Sequence, residues 1–143
     1  MNFITELGNS LYSTFVLDNR WQWFLSGLGY TLLISFFAVL VGLVIGVVMA
    51  FGRLSKNKLF RGISGLYIDI IRGTPTMVQL LIIYFIIFAN VNIDRWMVGV
   101  IAFGINSGAY IAEIVRGGIL SIDQGQTEAG RSLGLTQRQT MTY

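Results

Sequence analysis

Long uncharged stretches of apolar residues are the dominant pattern in this chain. No charged residue occurs from Trp21 to Gly52, and a second uncharged run extends from Gly73 to Ile93. A third begins at Trp96 and reaches an adequate length when it is extended to Arg116. About 20 apolar residues cross the hydrocarbon core of a bilayer. The three runs therefore predict an all-α membrane protein with helices at roughly 25–51, 62–91 and 96–116.

One face of the first predicted helix carries small side chains. Small residues recur there every four positions, a spacing that places them on one side of a helix: Ala38, Gly42, Gly46 and Ala50. Because such residues let two membrane helices approach closely, the stripe predicts a tightly packed helix pair. Random scattering of small residues, which are common in membrane helices, is the alternative that the pattern leaves open.

Composition agrees with a lipid environment and argues against catalysis. Hydrophobic residues make up 54% of the 143 positions and charged residues 12%, whereas soluble domains carry about 25% charged residues. The chain has no cysteine and no histidine, which removes thiolate and imidazole metal ligands and the commonest general base. We therefore predict that the chain is not an enzyme and binds no metal and no cofactor of its own.

The basic residues predict an orientation. A group of them follows the first apolar run and reads as the cytoplasmic flank of a membrane helix rather than as a nucleic-acid site: Arg53, Lys56, Lys58 and Arg61. Lys and Arg are enriched in cytoplasmic loops. The rule predicts a multi-pass protein in which residues 1–24 form an extracellular N-terminal segment and the C-terminal segment is cytoplasmic.

Several polar groups interrupt the second and third runs. Gly73, Thr74 and Pro75 predict either an ordinary kink or a broken helix whose freed backbone groups face a transport pathway. On the second reading four side chains are candidate ligands in the substrate pathway, although polar groups in a bundle more often satisfy neighbouring helices: Thr74, Gln79, Asn106 and Ser107.

Charged residues near the ends of the predicted helices are expected at the membrane boundary, because a charge at the bilayer centre costs about 2.5 to 3.5 kcal/mol even on lenient scales. Asp69 and Arg72 are spaced so that they can pair on one helix face. Glu113 can pair with Arg116 in the same way, and a contact of these residues with the short C-terminal helix is the alternative.

The C-terminal segment predicts a short helix at about 122–134. Ser121 with Gln124, or Asp123 with Gln126, can form a capping box at its start, and Gly134 suits the left-handed position that ends a helix. A second capping box is offered by Thr136 with Gln139. A cytoplasmic helix of this length is too short to be a domain, so it is expected to dock on a partner.

Three motifs in this part of the chain resemble one protein family. Glu128-Ala129-Gly130, followed by three residues and Gly134, is similar to the EAA loop of permeases in binding-protein-dependent ABC importers. The segments from Ser107 to Ile119 and from Arg72 to Gln79 resemble the polar amino acid branch of that family. The second alanine of the usual pattern is replaced here by glycine, which is expected to loosen the helix by up to about 1 kcal/mol.

The resemblance implies a function and a set of partners. The fold would be the transmembrane domain of a type I ABC importer, occupying 25–143 and incomplete, because family members continue into two further membrane helices beyond the point where this sequence ends. We therefore expect a fragment, with a naturally short product as the lesser alternative. The EAA loop would be a coupling helix that contacts a separate ATPase subunit through five residues: Glu128, Ala129, Gly130, Leu133 and Gly134.

ATP would be bound and hydrolysed on that partner subunit, not on this chain. The resemblance also implies a second permease subunit, identical or different, a binding protein outside the bacterial cell membrane, and a cargo such as glutamine, glutamate or arginine. An ion-coupled secondary transporter or channel subunit is the alternative. It usually carries an ionisable group deep in the membrane, whereas every charge here can be placed near an interface.

Overall fold

The computed structural model describes residues 3–140, which are almost entirely helical. The α-helices within that range are α1 (Phe3–Phe15), α2 (Trp21–Leu54), α3 (Lys58–Gly73), α4 (Thr76–Ile82), α5 (Arg95–Leu120), α6 (Gln124–Ser132) and α7 (Gln137–Thr140). A 3-10 turn at Leu17–Asn19 links α1 to α2, and a π-helical turn at Ile83–Ile87 continues α4.

The two long helices α2 and α5 form the centre of the bundle and pack through small residues. All four members of the predicted stripe, Ala38, Gly42, Gly46 and Ala50, are the buried residues of α2. A methyl group added at Gly46 would lie 3.0 Å from the carbonyl oxygen of Gly108 on α5, so the backbones are nearly in contact. The prediction of a tightly packed pair is confirmed.

Helices α2 and α5 run parallel. Contacts along the two helices ascend together, as the pairs Ile34 with Gly99, Val41 with Gly104 and Ile45 with Gly108 show. The chain must therefore return from the end of α2 to the level of its beginning before α5 starts. Helices α3 and α4 make that return.

The connection between α2 and α5 is one bent span rather than a straight helix. Helices α2 and α5 are each long and apolar enough to cross a membrane, and α3 with the α4 segment passes the same test as a pair bent by 107°. Because the flanking helices are parallel, the bent pair counts as a crossing, which gives three spans. The predicted single helix at 62–91 is thus wrong in its continuity: the chain breaks between Gly73 and Thr76.

The other boundaries differ from the predicted ones for local reasons. Helix α3 begins at Lys58, not near 62, because the Asn57 side chain accepts a hydrogen bond from the Leu59 N–H and caps the helix there. Helix α5 continues past Arg116 to Leu120. Helix α2 includes Arg53 in its last turn, where a positive charge is favourable.

Candidate functional site

Proline and its preceding residue explain where α3 ends. Thr74 is extended, with φ −118° and ψ 144°, as expected for a residue whose α conformation is disfavoured by the proline that follows it. Pro75 has φ −62° and its carbonyl oxygen accepts the N–H groups of Val78 and Gln79, which begins α4. Between the two open interpretations of this segment, the structure shows a full break and not a gentle kink.

Three of the four predicted pathway residues meet at this break. The Gln79 side-chain nitrogen donates to the Thr74 hydroxyl oxygen at 2.6 Å, and the Gln79 side-chain oxygen accepts from the Asn106 amide at 3.0 Å. Gln79 is buried, with 8% of its surface exposed. We call Thr74, Gln79 and Asn106 the amide junction; it joins the end of α3, α4 and the middle of α5.

Ser107 lies apart from the amide junction, on the side of α5 that packs against α2. Its hydroxyl donates to the Phe103 carbonyl oxygen at 2.6 Å, and the Ala38 carbonyl oxygen is 3.5 Å away. Ser107 and Asn106 both line an open groove of about 420 Å³ between α2 and α5. The structure therefore brings the four residues into one region but not into one cluster.

Sequence reasoning missed two polar residues of this groove, Thr31 and Ser35 on α2. A signal for them was present, because they lie four residues apart in an otherwise apolar stretch and precede the small-residue stripe on the same face. The groove is thus lined by hydroxyl and amide groups on an apolar wall, a composition found in small-molecule sites.

Five charged residues of α2, α3 and α5 form ion pairs near the C-terminal ends of α2 and α5: Arg53, Asp69, Arg72, Glu113 and Arg116. Glu113 binds Arg116 through two hydrogen bonds of 3.0 and 2.8 Å, which confirms their predicted pairing. Glu113 also lies 3.6 Å from Arg72, whose guanidinium stands 5.6 Å above the Tyr110 ring. Asp69 pairs with Arg53 of α2 at 3.8 Å. Asp69 and Arg72 thus bridge to different helices instead of pairing with each other.

The predicted C-terminal helix is present as α6, at Gln124–Ser132, and both of its ends are capped. The Asp123 carboxylate accepts the Gly125 N–H at 2.8 Å. At the other end Gly134 has φ +83°, and the Leu135 N–H reaches back to the Gly130 carbonyl oxygen at 3.1 Å. The Gly134 N–H also donates to the Arg131 carbonyl oxygen, and the two bonds together form a Schellman motif. The predicted left-handed conformation of Gly134 is confirmed.

Helix α6 presents an open surface and packs on one side against α7. Leu133 is 82% exposed, and Glu128 and Ala129 are exposed as well. Gly130 faces α7, where an added methyl group would lie 2.8 Å from the Thr140 side chain. Gly130 therefore allows α6 and α7 to approach closely. The sequence predicts only that this glycine loosens α6. The second capping box, Thr136 with Gln139, is formed.

Known proteins similar to this chain are membrane components of transport systems. Residues 42–143 match the family described as binding-protein-dependent transport system inner membrane component. The L-cystine transport system permease protein of Bacillus subtilis is 37% identical over 136 residues, which are 94% of this chain and 58% of that protein. The glutamine transport system permease protein of Escherichia coli K12 is 42% identical over 122 residues, 83% of this chain and 56% of that protein.

A solved structure has the same arrangement of helices. The crystal structure of an amino acid ABC transporter with histidines matches with a TM-score of 0.75 and 38% identity, over 99% of this chain and 61% of that one. The chain thus spans between half and two thirds of the length of these proteins.

Among the residues that the structure describes, no group of three or more acidic, His or Cys side chains could hold a metal ion.

Proposed function

Since the chain belongs to the family of binding-protein-dependent transport system inner membrane components, we propose that it forms part of the translocation pathway of an ATP-driven importer of polar amino acids. The fold supports this proposal, because three spans with a groove of hydroxyl and amide groups between α2 and α5 suit a polar cargo. The similar proteins named for glutamine and L-cystine transport support the cargo class.

The observation that carries the proposal is the capped α6 with its exposed leucine. Leu133, at the end of α6, is 82% exposed. Exposure of an apolar side chain to water is unfavourable, and a partner surface that covers Leu133 would remove this cost. Helix α6 follows directly from the end of α5 at which Arg116, Glu113 and Arg72 gather. We propose that Glu128, Ala129 and Leu133 contact a separate ATPase subunit, with Gly130 and Gly134 shaping the helix.

The remaining partners follow from the same proposal. ATP would be bound by the ATPase subunit, a second permease subunit would complete the pathway, and a binding protein would deliver the amino acid. The positive-inside rule supports an orientation with the N-terminus outside and α6 in the cytoplasm of a bacterial cell. Uptake that persists without ATP and collapses with the proton gradient would favour the ion-coupled carrier instead.

The first prediction tests whether α6 is the coupling helix. Gly134→Val places a β-branched side chain at φ +83°, a conformation that costs an L-residue about 1 to 2 kcal/mol and more for a branched one. We expect normal membrane insertion, loss of ATPase co-purification and loss of ATP-dependent amino acid uptake. Gly134→Asn is the matched control, because asparagine tolerates the left-handed region, and it is expected to retain most of both activities.

The contact itself is tested by Leu133→Ser, which changes an exposed side chain and leaves the backbone alone. We expect the permease to keep its thermal stability while ATPase co-purification falls by roughly tenfold or more, as for a central apolar contact in an interface. If all three variants bind the ATPase and transport like the wild type, α6 has no coupling role.

A further inference from the structure

The break between α3 and α4 leaves the last carbonyl groups of α3 without their helical partners, and the carbonyl of Ile71 is one of them. In an uninterrupted helix the Ile71 carbonyl oxygen would accept the N–H of the residue four positions later. That residue is Pro75, which has no N–H. A backbone carbonyl that is buried without a partner costs free energy comparable to a lost hydrogen bond.

The Gln79 side chain occupies this vacant position in the hydrogen-bond ladder. Its amide nitrogen donates to the Ile71 carbonyl oxygen at 2.7 Å and lies 3.1 Å from the Thr74 carbonyl oxygen. We propose that Gln79 is a positioning residue that replaces the backbone donor missing at Pro75 and thereby fixes the orientation of Asn106 in the groove. Gln79 is buried with both ends of its amide engaged, so the proposal gives it a role that needs no direct contact with the cargo.

The orientation follows from the identity of the groups at the break. Carbonyl oxygens only accept hydrogen bonds, so the Gln79 nitrogen must face Ile71 and the Gln79 oxygen must face α5. That oxygen in turn requires a donor, which is the Asn106 side-chain nitrogen at 3.0 Å. The Asn106 side-chain oxygen is left as the acceptor, and within the described part of the chain no hydrogen bond occupies it.

This polarity determines what the groove can recognise, a step that rests on the proposed transport function. Asn106 lines the groove between α2 and α5. An amide held by its nitrogen offers an oxygen to a donor, and the α-ammonium group that every amino acid carries is such a donor. Because Pro75 has no N–H, Gln79 donates to Ile71 and accepts from Asn106. The Asn106 side-chain oxygen is thereby left to accept a hydrogen bond from the ammonium group of the cargo.

The backbone role is tested by comparing Gln79→Glu with Gln79→Met across pH. A protonated carboxyl has one O–H for Ile71 and one oxygen left for Asn106, whereas an ionised carboxylate has no donor. We expect thermal unfolding of the assembled transporter in nanodiscs to occur at least about 4 °C lower for Gln79→Met at every pH. For Gln79→Glu the deficit should shrink as the pH falls from about 8 to about 5.

The sign of this dependence is decisive. Because the folded state requires the protonated carboxyl, its contribution is present at low pH and is lost as the pH rises. Wild type is scanned in parallel, since Arg72, Glu113 and Tyr67 on the packed helices are common to all variants. A Gln79→Glu protein no more stable than Gln79→Met at low pH, or more stable at high pH, would overturn the proposal.

The orientation of Asn106 is tested by uptake. Gln79→Met should reduce ATP-dependent amino acid uptake by about two- to tenfold per folded transporter, the range of one hydrogen bond, and Asn106→Leu in the same background should add little further loss. Full uptake in Gln79→Met would overturn the link to Asn106. Absence of uptake in the wild type would instead count against the proposed function, whereas the unfolding measurements do not depend on transport.

Discussion

Helix α5 is held on two sides by different means. Against α2 it packs through a seam of small residues, defined by Ala38, Gly42, Gly46 and Ala50 with Gly104 and Gly108 of α5, where backbones nearly touch. Against α3 and α4 it packs through an apolar cluster that includes Ile83, Val98 and Ala102, to which specific hydrogen bonds are added. One of these runs from the Tyr67 hydroxyl to the Ile105 carbonyl oxygen at 2.6 Å.

The two sides differ in what a substitution can do to them. The seam depends on shape, so any added volume must displace backbone or branched side chains. The hydrogen-bonded side adds matched donors and acceptors around a broken helix, so a substitution there can also lower stability without adding volume, by removing a partner. Three substitutions test this contrast in order of expected effect.

The largest effect is expected at the seam, from Gly46→Leu. Even a methyl group at Gly46 would lie 2.7 Å from the Ile111 Cβ atom and 3.0 Å from the Gly108 carbonyl oxygen, so α2 and α5 must separate. Overpacking typically costs about 1 to 3 kcal/mol and occasionally more, and we expect about 3 kcal/mol here. Thermal unfolding of the purified protein measures the loss.

Gly29→Leu is the control for the seam, since it makes the same change in the same helix. An added methyl group at Gly29 meets no atom of the described residues within 4 Å. It is expected to be neutral or slightly stabilising, because leucine favours helix more than glycine does. Equal losses for the two variants would show that the seam is not held by close approach of its backbones.

The seam could be predicted because it depends on the spacing of residues along one helix. A four-residue spacing of small side chains fixes which face of α2 is used, and the structure adds only the partner helix. Gly134 was predictable for the same reason, since its left-handed backbone follows from its place at the end of a short helix.

The hydrogen-bonded side was predictable only in part. Thr74, Gln79 and Asn106 were all identified as polar groups in membrane segments, but their mutual bonds depend on the 107° bend that Pro75 permits. The sequence leaves a kink and a break both open at this proline, and it does not show the direction of the bend. The partners of Asp69 and Arg72, which lie on α2 and α5, depend on helix packing in the same way.

An intermediate effect is expected from Tyr67→Phe, which removes one donor from the hydrogen-bonded side without adding volume. The Ile105 carbonyl oxygen keeps no bond to α3 in this variant, and hydrogen bonds between membrane helices average about 0.6 kcal/mol with a maximum near 1.7. We expect a loss of about 1 kcal/mol in thermal unfolding. Tyr30→Phe, at an exposed position of α2, is the control and should change stability by less than half as much.

The smallest effect is expected from Asp69→Asn, which removes the ion pair with Arg53 on α2. The two charged groups are 3.8 Å apart and the Asp69 side chain is 68% exposed, so water screens their attraction if α3 lies at the membrane boundary. Exposed ion pairs contribute about 0 to 1 kcal/mol, and we expect less than about 0.5 kcal/mol, decreasing further when salt is raised.

The loss of stability in Asp69→Asn indicates how deep this ion pair lies in the membrane. If Asp69 and Arg53 lay within the hydrocarbon, Asp69→Asn would leave an unpaired guanidinium in lipid, and the loss would rise to about 2.5 kcal/mol or more and become insensitive to salt. Thermal unfolding in nanodiscs at low and high salt separates the two cases. A large, salt-independent loss would move the break of α3 to the bilayer centre, where the hydrogen bonds of the amide junction, and not the shape of the seam, would dominate stability.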